Sequence, residues 1–523
     1  MTDRSGGTGS HAESEASSVI SPRVVKLTKR PVDLSFIVDE QERSRVGQAL
    51  AMAPKSVLRP GQKPSRPIRR ALLGYGGWPV DGASAFFDAL STKSENTEAT
   101  YATSVAIWVR ESQSAGLDPL YMDFDTLQEY RDEVRLGDHG VSPGTWNQGL
   151  HALKRFNDAT VRAGHVPESL LDDSDWRALQ LDEARIFWPR VVDPQVYRVF
   201  RSVGLSAMTL RGRMTHAGYA MRTPVRDRLY ADFLLAHGLR RAEASHMTLF
   251  DLPRRRPGMR TNDMHIPASI AKWRSGRTVP EERSWAGRLE AYHDGEWFTT
   301  VETMQKALRR QRDRWLLVEH VDGRFEATQT RLTIRGRQNQ KVLANLTKGE
   351  RMSLVCTPDV ARSIAREPGM GEALGAMKDS WIVPCGIFPG TRSPMIGPEA
   401  WSLTFRQANA RVASALNEYG HPPGQRVTPH LLRHTYAVNT LIDLMTTISQ
   451  EDREYLASIS AARATDTAVL RRRYMNPLVA VQQRLGHRSL KTTIVYLQYS
   501  AAQADAGLVD RDSWIETFLE GAV

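Results

Sequence analysis

Cysteine is nearly missing from this chain: Cys356 and Cys385 are the only two in 523 residues. One pair cannot build a disulfide framework, and the two lack the spacing of a zinc site, which favours a reducing interior. No apolar run approaches membrane-spanning length, and the polar N-terminus carries no signal-peptide core. A cytoplasmic protein with no membrane partner is expected. No internal repeat is visible. Acidic residues are outnumbered: the net charge is +11 and the pI near 9.7. A polyanionic partner would suit that balance, though basic proteins that never touch nucleic acid are common. The apolar and charged fractions, 41% and 25%, are those of a soluble globular protein. The length exceeds what one ordinary core accommodates, so two or more domains are expected.

The composition of residues 1–24, with SGGTGS and ESEASS, predicts a disordered tail. From 25 to 81, Lys, Arg and Pro punctuate short apolar pieces. This extension reads equally as an arm that packs on later elements or lies along DNA, and as a segment of no specific role. Helical periodicity is clean over about 82–188. One helix is expected from about Glu98 to Ser114, with Tyr101, Val105, Trp108 and Val109 inward and Gly116 as its stop. A second follows Asp125, carrying Leu127, Tyr130 and Val134. A third opens at Ser142-Pro143, carries Trp146, Leu150, Leu153 and Phe156, and ends at Gly164. Lys154, Arg155 and Arg162 give this all-helical domain a basic edge, either a solvated face or a DNA-facing one.

A second domain is expected over 189–523. Thr223-Pro224 opens a helix that Gly238 stops, and Leu239-Arg240-Arg241-Ala242-Glu243 enters another. MHIPASIA alternates like a strand, KWRSG turns and RTVP returns, a β-hairpin whose turn begins at Lys272. Residues 297–378 hold no chemical motif and read as an insertion, helical first and then partly β. In VTPHLLRHTYAVNTLI, Thr428 is a good N-cap and Pro429 suits the first helical position. His430 and Arg433, three apart, share one face near the positive helix end, which suits an anion such as phosphate. Later, Asn476-Pro477 opens a helix that ends at Leu485-Gly486-His487, and LKTTIVYLQY carries Tyr496 nine residues past His487.

HLLRHT, LGH and TTIVY, in that order, closely resemble the tyrosine recombinase (phage integrase) signature. HGLRRAE is similar to that family's first arginine motif, and AKWRSGRTVP to its catalytic-lysine hairpin; together the five span Gly238 to Tyr496. The resemblance implies a mainly α fold with a small β-sheet: a helical core-binding (SAM-like) domain at 82–188 and an α/β catalytic domain at 189–523. It implies double-stranded DNA with a specific recombination site as partner, a synaptic tetramer, accessory or partner recombinase proteins, no cofactor and no metal. A nucleoid-associated cytoplasmic location follows. Arg240 and Arg433 would hold the scissile phosphate, with His430 and His487 bonding it or shuttling protons. Lys272 would protonate the departing 5′ oxygen, and Tyr496 would attack phosphorus to form a 3′-phosphotyrosine. Glu243 would orient the pocket, and His434 would be a structural part of its motif.

Each residue also has a plain reading. Arg240 and Lys272 could be surface charges, His487 a helix C-cap, and Tyr496 a core residue that Tyr499 could be mistaken for. His430 and His434, four apart, imitate a metal pair, but no Glu-x-x-His context or third ligand accompanies them. Rival functions are a type IB topoisomerase or telomere-resolvase-like strand transferase, a catalytically silent DNA-binding accessory protein and, more distantly, a metal-dependent hydrolase. The chain departs from compact family members in the long spacing between Lys272 and His430 and between Arg433 and Tyr496. A C-terminal tail at about 505–523 is amphipathic, and would dock on a neighbouring protomer or on its own domain.

Overall fold

The computed structural model describes residues 22–26, 70–77, 79–136, 140–182, 191–253, 255, 261–323, 328–368, 370–459, 477–488, 493 and 496. The expected disordered tail and the extension, apart from 22–26, 70–77 and 79–81, lie outside the described residues. So do Asn476, Ser489, Thr492, Tyr499 and the C-terminal tail. The chain divides into two compact units, Met1–Ile186 and Phe187–Val523.

In the first unit, strands β1 (Arg23–Lys26) and β2 (Arg70–Leu73) pair antiparallel, Arg23 opposite Leu73. This small sheet comes from the tail and extension that precede the helical domain expected over 82–188. Two four-residue strands far apart in the chain leave no local pairing signal. Leu72 is buried, and Val24 packs on the helical core. Five helices follow: α1 (Ala83–Ala89), α2 (Glu95–Ser114), α3 (Phe124–Glu129), α4 (Pro143–Arg162) and α5 (Asp173–Ala178). Their starts are local chemistry. Ser94 accepts from the Thr97 N–H at 3.2 Å, and Ser142 from that of Thr145 at 3.3 Å, with Pro143 in the first turn. Trp108 and Trp146 are buried, their indole N–H groups donating to the carbonyls of Pro119 and Leu179 at 2.9 and 2.8 Å. Satisfied in this way, each contributes about 2–3 kcal/mol of apolar burial. Val134, expected inward, is 46% exposed. The helix widens to a π-turn over Tyr130–Arg135, which rotates Val134 off the face set by Leu127 and Tyr130.

The second unit opens with α6 (Pro194–Val199) and is organised around α7 (Pro224–His237). That helix is buried nearly all round, its charged Arg226, Asp227 and Asp232 included, which marks it as a core helix. Short α8 (Arg241–Ala244) leads to the hairpin of β3 (Thr261–Ile266) and β4 (Arg277–Glu282). The first strand is shorter than MHIPASIA suggested: it ends at Ile266, because Pro267 has no N–H for the ladder. Then come α9 (Arg283–Tyr292) and α10 (Phe298–Arg310). Five strands follow: β5 (Leu316–Asp322), β6 (Arg331–Ile334), β7 (Lys341–Val342), β8 (Leu354–Cys356) and β9 (Val383–Pro384). They form one sheet in the order β7-β6-β5-β8-β9, parallel only between β5 and β8. The stretch read as an insertion, helical first and then β, packs into the main core. Val318, Leu332 and Leu354 share one core cluster with Leu229, Tyr230 and Phe233 of α7. Buried Arg351 binds the stretch inward, donating to Asp251 at 2.6 Å and to the His246 carbonyl at 3.2 Å. Next come α11 (Pro398–Glu418), α12 (Pro429–Ile459) and α13 (Pro477–Leu485). Tyr230 of α7 stacks on Trp401 of α11 at 3.6 Å, and Phe233 on Trp285 of α9 at 4.5 Å. Cys356 and Cys385 are free, buried thiols.

Candidate active site

The site is built where α7 and α13 end against the start of α12. Gly238 ends α7 at φ +61°, and a Cβ there would lie 2.2 Å from Tyr436 Cδ1. Only glycine meets both conditions. The chain then runs extended through Arg240, whose Nη1 donates to Glu243 Oε1 at 2.7 Å. Arg277 of β4 grips the same buried carboxylate with two bonds, 3.0 Å to Oε1 and 2.7 Å to Oε2. Burial alone would raise the Glu243 pKa, but Arg277, Arg433 and Arg240 outweigh it and bring it down to about 2.

Thr428 caps α12, its hydroxyl accepting from the Leu431 N–H at 3.1 Å, and so places Arg433 in the second turn. Arg433 is 3% exposed. It donates to the Gly238 carbonyl at 2.6 Å and to the Leu485 carbonyl at 2.5 Å. One guanidinium thus complements the negative ends of two helices. Gly486, at φ +63°, ends α13 as Gly238 ends α7. Its carbonyl lies 3.5 Å from Arg240 Nη2 and 3.4 Å from Ser275 Oγ, while Arg277 Nε donates to the Arg484 carbonyl at 2.6 Å. Three guanidiniums therefore face a single carboxylate, Glu243. Burial, and after it the neighbouring charge of Arg240, push the Arg433 pKa down to about 9 against the pull of Glu243. The site is ready for an anion.

Around it stand three histidines and a tyrosine. Residues 493 and 496 are both helical and buried. Tyr496 is 3% exposed, and its hydroxyl lies 2.8 Å from His434 Nδ1. His434 Nε2 in turn lies 3.0 Å from His430 Nε2. His487 Nδ1 is 3.1 Å from Thr493 Oγ1, and its ring is stacked parallel to that of Tyr496, centroids 6.3 Å apart. Burial lowers the pKa of all three histidines, helped by Arg433 throughout: His434 to about 4 and His487 to about 3. Burial raises that of Tyr496 against the pull of Arg433 and Arg240. His434 therefore does more than support its helix, because it touches the tyrosine hydroxyl. The spacing that imitates a metal pair instead sets the two rings in hydrogen-bond contact, with the second nitrogen of His434 occupied by Tyr496. Among the described residues no cluster of three or more His, Cys, Asp or Glu could hold a metal ion.

Lys272 is exposed in the turn between β3 and β4, close enough for its charge to depress the His430 pKa. The neighbouring Trp273 is 62% exposed and, like Arg274, adopts a positive φ. Arg488 holds this turn, donating to the Trp273 carbonyl at 3.0 Å with its guanidinium 5.3 Å from the ring. Beside Arg240, His430 and Arg433 opens a cavity of about 510 Å³, lined also by Arg241, Arg406, Arg426 and Thr428.

All six residues proposed as catalytic from the sequence are thus brought together, with Glu243 and His434 among them. Sequence reasoning missed Arg277, Arg406, Arg426 and Arg488. Only Arg277 had a signal, as the first residue of the returning strand. In the first unit, Lys154 Nζ pairs with Asp173 at 2.9 Å, Arg162 Nε donates to the Asp158 carbonyl at 2.9 Å, and Arg155 is exposed.

No protein family and no curated protein matches the chain in sequence. Among solved structures, it is similar to the Tn1549 transposon integrase in complex with circular intermediate DNA, at 12% identity and a TM-score of 0.37. The match covers 80% of this chain and 97% of that one. The same integrase with transposon right end DNA gives 11% identity and a TM-score of 0.36, covering 81% and 98%. XerA recombinase gives 12% and 0.26, covering 84% and 97%. At such TM-scores the likeness carries no weight of its own; the residues of the site carry the functional reading.

Proposed function

We propose that this protein is a site-specific DNA recombinase, a metal- and ATP-independent strand transferase that integrates, excises or resolves mobile DNA. The observation that carries the reading is the clustering of His430, His487 and Tyr496 within reach of the charges of Arg240 and Arg433, with Lys272 on an exposed turn near His430. The scissile phosphate takes the place of the missing counter-charge. Arg240 and Arg433 neutralise its non-bridging oxygens, and His487 bonds one of them. Each guanidinium has five N–H donors, so those engaged with Glu243 and the backbone leave others for phosphate. Stabilising the charge that develops on these oxygens is the largest single source of rate.

Tyr496 attacks phosphorus, the bond to the 5′ oxygen breaks, and Lys272 supplies that oxygen's proton. The 3′-phosphotyrosine keeps the energy of the diester, so rejoining to a second strand needs no nucleotide. Glu243 holds the guanidiniums in register and does no chemistry. Partner exchange requires a synaptic assembly, which we take to be a tetramer on DNA.

The test is a library of nicked suicide duplexes of randomised sequence, from which wild-type protein should capture a covalent adduct. Tyr496→Phe should capture none. An undiminished adduct from Tyr496→Phe would remove the nucleophile assignment. Relaxation of supercoiled plasmid without site preference would move the reading to a type IB topoisomerase.

A further inference from the structure

We propose, resting on the recombinase reading, that His434 is a catalytic residue: it takes the proton of Tyr496 and relays it to His430. The geometry is a continuous line of three groups. The Tyr496 hydroxyl is 2.8 Å from His434 Nδ1, and His434 Nε2 is 3.0 Å from His430 Nε2. Both are hydrogen-bond distances.

A hydroxyl that donates to Nδ1 requires the His434 tautomer with its proton on Nε2. That proton then points at His430 Nε2, which must accept it. Moving both protons one step along the line produces the reverse order. The tyrosine oxygen is then anionic and bonds to phosphorus as the bond from phosphorus to the 5′ oxygen breaks. The proton from Tyr496 is balanced on His430, and the proton from Lys272 ends on the 5′ hydroxyl. His434 begins and ends neutral, having exchanged one tautomer for the other. Its surroundings demand this, because burial, His430 and Arg433 hold its pKa down to about 4. The charge arrives instead on His430, the more exposed ring, which lines the 510 Å³ cavity with Arg240 and Arg433. There the phosphate anion offsets the cations that otherwise disfavour an imidazolium. Rejoining runs the same two transfers backwards.

The test uses full-length protein and a suicide duplex recovered from the library above, with single-turnover adduct formation as the readout. His434→Gln keeps an amide oxygen able to accept from the tyrosine but cannot pass a proton on. It should slow adduct formation about 10²–10³-fold with DNA binding unchanged. His434→Ala should regain rate with added imidazole, in proportion to the neutral form. A duplex with a bridging sulfur in place of the 5′ oxygen needs no acid at the leaving group. It should restore Lys272→Ala and leave His434→Gln slow. His434→Gln at the wild-type rate, or restored by sulfur as fully as Lys272→Ala, would overturn the relay alone. Wild-type protein that forms no adduct with any duplex would overturn the recombinase reading, and the relay with it.

Discussion

Among the described residues Glu243 is the one carboxylate facing Arg240, Arg277 and Arg433 in the site, so its removal exposes the balance of the whole pocket. Glu243→Gln keeps the size of the side chain, removes the charge and turns an amide N–H₂ toward guanidinium donors. Two estimates of the cost agree. The carboxyl's pKa, about 2 against an ordinary 4.5, represents about 3 kcal/mol of differential stabilisation in the folded state. Breaking one side of a buried ion pair costs roughly 3–5 kcal/mol. Full-length Glu243→Gln should therefore lose about 3 kcal/mol in guanidinium denaturation at pH 7.5, and melt roughly 5–10 °C lower. The sign of the pH dependence follows from a depressed acid. The contribution is fully present above pH 4.5 and fades as the pH falls toward 2, so wild type and variant converge in acid. Because the variant holds three uncompensated cations, sulfate at matched ionic strength should stabilise it more than wild type. A stability loss under about 0.5 kcal/mol, or equal stabilisation of both proteins by sulfate, would refute the assignment of Glu243 as counter-charge.

Two further predictions concern the frame around the site. Gly238→Ala places a Cβ 2.2 Å from the Tyr436 ring at φ +61°. The left-handed backbone alone costs about 1 kcal/mol and the clash adds more; full retention of the melting temperature would show that this turn relaxes freely. His237 and His293 are fully buried. Each has Nδ1 on a carbonyl, of Phe233 and Met370 respectively, and an Nε2 with no hydrogen-bond partner among the described residues. Burial lowers their pKa values to about 4 and about 3. Between those values and an unfolded 6.5 the unfolded chain binds more protons, so stability falls as pH drops below 6.5. For His237 the loss between pH 7.5 and 5 is about 2 kcal/mol. His237→Phe should shrink the measured acid loss by that amount, and an unchanged pH profile would contradict the burial argument.

Much of the architecture was legible because its signals are local. Ser142-Pro143, Thr428-Pro429, Gly238 and Gly486 mark helix ends through capping chemistry and positive φ, which no distant contact has to supply. Val134 and the end of β3 were misread where a local irregularity, a π-turn and a proline, broke the expected period. The β1–β2 pair and the fusion of 297–378 into the main core were not legible, since both depend on contacts between residues far apart in the chain. The candidate site divides in the same way. The resemblance of its motifs, in their order and spacing, to the tyrosine recombinase signature singled out Arg240, Lys272, His430, Arg433, His487 and Tyr496. Those motifs said nothing of how charge is balanced or where protons can go. Folding decided that Arg277 grips Glu243, that Arg433 clasps the ends of two helices, and that His434 stands between Tyr496 and His430. A hydrogen bond or an ion pair is a relation between side chains brought together by packing, and only the tertiary structure fixes its distance.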